Sequence, residues 1–304
     1  MRAAALAAAA LVLAGCGASA ASRPRQEPGW RFAQSMPQRR SYSAAAELAG
    51  RIYVAGGMVG NSGRRLSLVQ RFAPGRGWQT LEPLPQPLRA ASAATLGGRI
   101  YVTGGQAVSG VTRKVEVYDP RLRRWSAGPP LPAPVFNHST VALGGALYVL
   151  GGFDGTERRD VFTYRPGTAG WRRVSPLPRP NHAFGAVAFR GELWTIGGRR
   201  GERILREVWI YDPRRNRWRR GPTLPKPMEL LGATASGDQI HAVWEHTYEI
   251  YDAATGRWRA GPPPRVPRHA LSLFALGRRL YAVGGCVTPQ LVDSQAVEVR
   301  RLEG

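Results

Sequence analysis

An all-β fold of six repeated four-stranded sheets is what this 304-residue sequence predicts, on three observations. A short apolar run ends on a glycine pair five times: "IYVAGG" (52–57), "IYVTGG" (100–105), "LYVLGG" (147–152), "LWTIGG" (193–198) and "LYAVGG" (280–285), with "IHAVWE" (240–245) as a worn sixth copy. Tryptophans keep step with these slots: Trp30, Trp78, Trp125, Trp171, Trp218 and Trp258 each stand 26 residues ahead of the next one. The composition, 43% hydrophobic with 37 Gly and 25 Pro, suits many short strands and turns.

Within one repeat the elements read in order. A small-residue strand such as "HSTVALGG" (138–145) comes first, and the strand ending on the glycine pair follows. "VEVYDPRLRRW" (115–125), "VWIYDPRRNRW" (208–218) and "YEIYDAATGRW" (248–258) then read as two strands joined by a turn of Asp, Pro, Gly and Asn, residues that supply turn geometry. Repeats of 40 to 48 residues with four strands stack as the blades of a β-propeller. The last unit starts at about Arg268 and stops after "AVEVRRL" (296–302), with three strands and no tryptophan. "GWRFAQSMP" (29–37) supplies the fourth, so a six-bladed propeller closed by an N-terminal outer strand is expected, with no open edge to cap. Glycine pairs belong where blades crowd together and a Cβ would obstruct a neighbouring backbone. The tryptophans are expected to fill the space between blades rather than to stack on a ligand.

The glycine pair after the second strand, the Tyr-Asp-Pro near the end of the third and the Trp on the fourth resemble the signature of the kelch family, over residues 30 to 302. Departures are local: Trp244-Glu245 replaces a glycine pair, and "RFAPG" (71–75) and "TYRPG" (163–167) replace Tyr-Asp-Pro. The constant spacing makes equivalent positions readable. Eleven residues past each Trp lie Ser41, Arg89, Phe136, His182, Glu229 and His269, and just after each glycine-pair slot lie Met58, Gln106, Phe153, Arg199, His246 and Cys286. The kelch resemblance implies that these two rings flank the mouth of a central channel and contact ligands. Loops between the second and third strands rise on the same face, where loop-borne function is expected.

Three chemistries are open to these rings. His182, Glu229 and His269, from successive blades, form a weak candidate metal set of two imidazoles and a carboxylate. Arg89 and Glu229 are weak candidates to orient and deprotonate a small anionic sugar, an arrangement that resembles N-acetylneuraminate epimerase, a periplasmic six-bladed kelch enzyme. Binding without catalysis is the third, and the absence of a phosphate loop, nucleophile elbow, metalloprotease helix or zinc-finger spacing favours it; no cofactor is expected. The copper site of galactose oxidase, another kelch relative, needs a Tyr-Cys cross-link on a larger propeller, and Cys286 is the sole candidate thiol here.

The first 15 residues read as a lipoprotein signal peptide: Arg2, an apolar run from Ala3 to Leu13, then "LAGC" (13–16), which resembles a bacterial lipobox ending on an acylated Cys16. Residues 16–28 are then a tether and 29–304 the propeller. An exported, membrane-anchored protein of the bacterial cell envelope, periplasmic or at the cell surface, is expected. With Cys16 lipidated, only Cys286 remains and no internal disulfide can form. The formal charge is +23, almost all of it arginine. Arginines cluster in the third-to-fourth-strand hairpins (Arg121, Arg123 and Arg124; Arg172 and Arg173; Arg214, Arg215, Arg217, Arg219 and Arg220), where a basic rim would attract anionic lipid or lipopolysaccharide. The expected partner is a protein or an anionic glycan, with the membrane reached through Cys16 and no nucleic acid; a monomer is expected.

Overall fold

In the computed structural model, which describes residues 29–60, 63–287 and 292–302, the repeats become six antiparallel four-stranded sheets. Each sheet is a blade whose strands a, b, c and d lie in chain order; in blade 2 they are Ser92–Leu96, Arg99–Thr103, Val115–Asp119 and Arg124–Ala127. Blade 1 spans Ala44–Leu81, blade 3 Ser139–Arg173, blade 4 Gly185–Arg220 and blade 5 Gly232–Ala260. Blade 6 takes three strands from Ser272–Arg301 and its outer strand from Arg31–Phe32, which pairs Arg31 with Val299 and Phe32 with Glu298. That outer strand is shorter than the predicted 29–37, although Ala33 and Met36 still donate backbone hydrogen bonds to Val297 and Gln295. The signal peptide and the Cys16 tether lie outside the described residues.

Burial follows position in the blade. Strand b, between strands a and c and between two neighbouring blades, buries both faces, so its sequence is a continuous apolar run rather than an alternation. Strand d is mostly exposed apart from its tryptophan. Strand a is built of small residues because six copies of it line a central channel of about 520 Å³.

Two six-membered rings of hydrogen bonds tie blade to blade. The second residue of each glycine-pair slot donates its N–H to a carbonyl of the following blade: Gly57 to Leu88, Gly105 to Val135, Gly152 to Asn181, Gly198 to Met228, Glu245 to Arg268 and Gly285 to Arg40. Glycine is needed because both residues of a pair have positive φ and the backbones nearly touch. A Cβ on Gly197 would lie 2.3 Å from the Met228 carbonyl oxygen, and one on Gly104 would lie 2.4 Å from that of Val135. The crowding is therefore between strand b of one blade and the segment leading into the next. Blade 5 keeps the hydrogen bond without the pair, with Glu245 itself at φ 49°.

The tryptophans form the outer ring. Every repeat Trp donates its indole N–H to a carbonyl of the preceding blade or of the link that leaves it: Trp78 to Gln34, Trp125 to Glu82, Trp171 to Pro129, Trp218 to Ser175, Trp258 to Pro222 and Trp30 to Pro262, at 2.8 to 3.0 Å. Each thus fills an inter-blade space and satisfies its one polar group. The sixth bond and the fully buried cluster of Ile52, Phe72, Tyr281 and Val283 with their neighbours join blade 6 to both sides of the ring.

Two buried arginines flank the closure. Arg40 donates to the Gly56 and Leu68 carbonyls and to Gln70, and Arg268 donates to the Ala296 carbonyl and, at 2.8 Å, to the fully buried Glu298. Leu88, Val135, Asn181 and Met228 hold the same place in the other blades.

Three outcomes are expected. Gly237→Ala, at φ 54° in open space, should cost about 1 kcal/mol from backbone strain alone. Gly197→Ala carries the same strain plus the Met228 collision and should cost roughly 1–3 kcal/mol more by urea denaturation. Arg268→Leu, which strands Glu298 in the interior, should cost about 3–5 kcal/mol, read the same way.

Candidate mouth of the channel

The antiparallel strands bring every a-strand start and every b-strand end to one face. There the two predicted rings pair residue to residue: Ser41 with Met58, Arg89 with Gln106, Phe136 with Phe153, His182 with Arg199 and His269 with Cys286. The residue after each first-ring position (Tyr42, Ala90, Asn137, Ala183, Leu230 and Ala270) has φ between 45° and 57°. Five of these residues donate their N–H to the carbonyl of the one in the preceding blade: Ala90 to Tyr42, Asn137 to Ala90, Ala183 to Asn137, Leu230 to Ala183 and Ala270 to Leu230. This belt sets the rim of the channel. At the sixth step Tyr42 and the His269 ring meet edge to face.

First-ring side chains reach mainly to the second-ring side chains, or to the b–c segment, of the preceding blade. Arg89 donates through Nη1 to Met58 Sδ at 3.3 Å, and through Nε to Gln106 of its own blade at 2.8 Å. His182 packs on Phe153, itself edge-on to Phe136, with Nδ1 3.7 Å from Glu157. Glu229 accepts from Arg199 on both oxygens, at 3.1 and 3.4 Å, and Arg199 also reaches Glu202. His269 Nδ1 lies 3.6 Å from Glu245, and Ser41 donates to Asp293, whose other oxygen accepts the Gly60 N–H.

These pairings give each candidate side chain a neighbour of its own. His182, Glu229 and His269 do not meet as a metal set, because each is engaged with a different neighbouring blade; among the described residues no group of three His, Cys, Asp or Glu is placed to hold a metal ion. Arg89 is hydrogen-bonded to Gln106, and Glu229 to Arg199. Arg89 and Glu229 lie close enough to Tyr42 to act on its hydroxyl, which burial pushes above the usual phenol range. Burial holds the His182 and His269 imidazoles below their ordinary value, against the pull of Glu157 and Glu245. Cys286 is buried, and burial with nearby Asp293 raises its thiol, so it is no activated nucleophile. His246 is exposed at the tip of the short b–c turn of blade 5.

The wall around this rim is uneven. Small two-residue ladders extend the b–c segments of blades 1, 2, 4 and 6, at Met58–Val59 with Arg64–Arg65, Gln106–Ala107 with Gly110–Val111, Arg199–Arg200 with Arg203–Ile204, and Cys286–Val287 with Val292–Asp293. In blade 3 strands b and c run on without a break, from Ala146 to Phe153 and from Glu157 to Tyr164. Blade 5 turns back at once, pairing Trp244 with Thr247, which leaves a gap in the wall between blades 4 and 6.

This sheet geometry agrees with the comparisons. Residues 30–177 match the KLHDC2/KLHL20/DRC7 Kelch-repeats domain, and residues 180–225 match the Kelch motif. The chain belongs to the kelch-repeat family. No curated protein is significantly similar to this kelch propeller in sequence. Its two matches run from the Trp30 strand through blade 4, the stretch in which every glycine pair is intact.

Below the rim, two histidines that stand outside both rings support the sheets. His138, in the channel wall, bonds Thr103 through Nε2 at 2.8 Å, and His241 bonds the Tyr248 hydroxyl through Nδ1 at 2.8 Å. Burial lowers them to about 3 and about 4 respectively, against 6.5 for a free imidazole. The unfolded chain therefore takes up protons that the folded chain refuses. The contribution of these two histidines to stability is complete above about pH 6.5 and should fall as pH drops toward those values, by up to about 1.4 kcal/mol per pH unit for each. His138→Gln should flatten that acid limb in denaturation curves taken between pH 6 and pH 4.

Proposed function

We propose that this kelch propeller is an exported, lipid-anchored binding module of the bacterial cell envelope, which grips a protein or an anionic glycan at the channel mouth. Kelch repeats suggest a protein-binding propeller, and the mouth supports that reading through one observation: raised b–c segments surround a rim of mixed-sign side chains, with one low side at blade 5. A chain or glycan branch entering over blade 5 would meet the Arg199–Glu229 pair, the exposed His246 and the Glu245–His269 pair. Val108, at the tip of the blade 2 loop and 77% exposed, offers an apolar contact on the same face. Binding rather than turnover fits side chains already committed to one another, since a partner can exchange these ion pairs for its own charges.

The test is a thermal-shift screen of the protein against sialic acids and acidic oligosaccharides, with Arg199→Ala and Glu229→Ala alongside. A ligand at a hundred times its dissociation constant should add about 2.7 kcal/mol to stability, and both variants should lose the increment. For a protein partner the matching experiment is a photo-crosslinking residue at Val108 or His246 in cells that make the full chain. An adduct from these positions and none from Leu122 supports the mouth; adducts only from Leu122 would overturn it.

A further inference from the structure

We propose that the face opposite the mouth, formed by the a–b and c–d turns, lies against an anionic lipid bilayer, so that the channel mouth points away from the membrane. This rests on the Cys16 reading above for the presence of a membrane, and on the fold for the orientation.

The two sets of turns share one face. Ala253 of a c–d turn donates to Asp238 of an a–b turn, Arg99 beside an a–b turn bonds Asp119 beside a c–d turn, and Leu302 donates to Arg278 of the blade 6 a–b turn. The eleven turns between these strands hold eight arginines and one acid, Asp238. Arg121, Arg123, Arg214, Arg215 and Arg278 are all exposed. The aspartates at the strand ends spend carboxylate oxygens on turn N–H groups: Asp119 on Arg121 and Leu122, Asp212 on Arg214 and Arg215, and Asp252 on Ala254. Ion pairs such as Arg215–Asp212 and Arg190–Asp238 have largely exposed arginines, and pairs of that kind hold weakly enough for an anionic headgroup to displace the acid.

Two further observations point to a bilayer rather than a soluble polyanion. Leu122, 57% exposed, stands at a turn tip between Arg121 and Arg123, an apolar side chain within a cationic collar, as surface-binding segments present to the headgroup boundary. The polypeptide also enters the propeller on this face. Trp30 leads into strand d of blade 6 next to the end of its strand c, where the other blades have a c–d turn, so the described chain enters the propeller at the turn face. Anchoring at Cys16 would keep that face in the neighbourhood of the surface, where headgroup charge acts over about 10 Å at 0.1 M salt.

The experiment uses the full chain with Cys16→Ser, which removes acylation but not the turns. Partition is measured into phosphatidylcholine vesicles and into vesicles with roughly a third phosphatidylglycerol. Binding to the anionic vesicles should be at least about tenfold stronger and should vanish in high salt. Arg121→Glu with Arg123→Glu and Arg124→Glu should abolish the difference, whereas Arg64→Glu with Arg113→Glu and Arg203→Glu on the mouth face should leave it. An environment-sensitive dye on Leu122→Cys should shift to the blue on anionic vesicles, and the same dye on Val108→Cys should not. Equal partition into both vesicles, equal loss from the two charge reversals, or a blue shift at position 108 would overturn the proposal. The mouth-binding experiments stand apart from these outcomes, since they use soluble ligands and mouth residues.

Discussion

The hydrogen bond from the second residue of each glycine-pair slot to a carbonyl of the next blade is the constraint on which the rest of this propeller depends. It sets the distance between neighbouring sheets at the mouth, and that distance leaves no room for a Cβ at most of the paired glycines. Because strand b sits at this point of closest approach, it is buried on both faces and must be apolar throughout. The tryptophan ring does the same work at the outer edge, where sheets splay apart and a large side chain is needed instead of none.

The same approach distance creates the mouth. Sheets brought this close place a first-ring side chain of one blade within reach of the b–c segment before it, so nearly every charged group at the rim finds an opposite or polar partner there. At a rim of paired side chains, a ligand must offer better partners than those already present. The one blade that loses its glycine pair also loses its raised b–c segment, and the low side of the wall follows from that single local change.

Charge is divided between the faces. The mouth mixes arginines with Glu157, Glu202, Glu229, Glu245 and Asp293, while the turns opposite are almost purely basic. An antiparallel blade forces this separation, because its b–c segment and its two other turns cannot share an end. The groups at the mouth and those on the opposite turns therefore do not compete for the same ligand.

The sequence by itself determined the number of repeats, the four strands in each, and the supply of the last outer strand by the N-terminal segment, because these depend on spacing and on local strand and turn preferences. It also located both rings, since a constant distance from Trp to glycine pair carries equivalent positions from blade to blade. Only the tertiary structure decided what those residues touch. Glu157 and Glu202, partners of His182 and Arg199, sit in segments of variable length, outside any fixed spacing from the markers. The buried ties made by Arg40 and Arg268 were equally hidden, since a sequence dense in arginine does not mark which guanidinium turns inward. Contacts between blades join residues tens of positions apart, and in the case of Trp30 and Pro262 across nearly the whole chain; no local preference encodes such a pairing until the ring has closed.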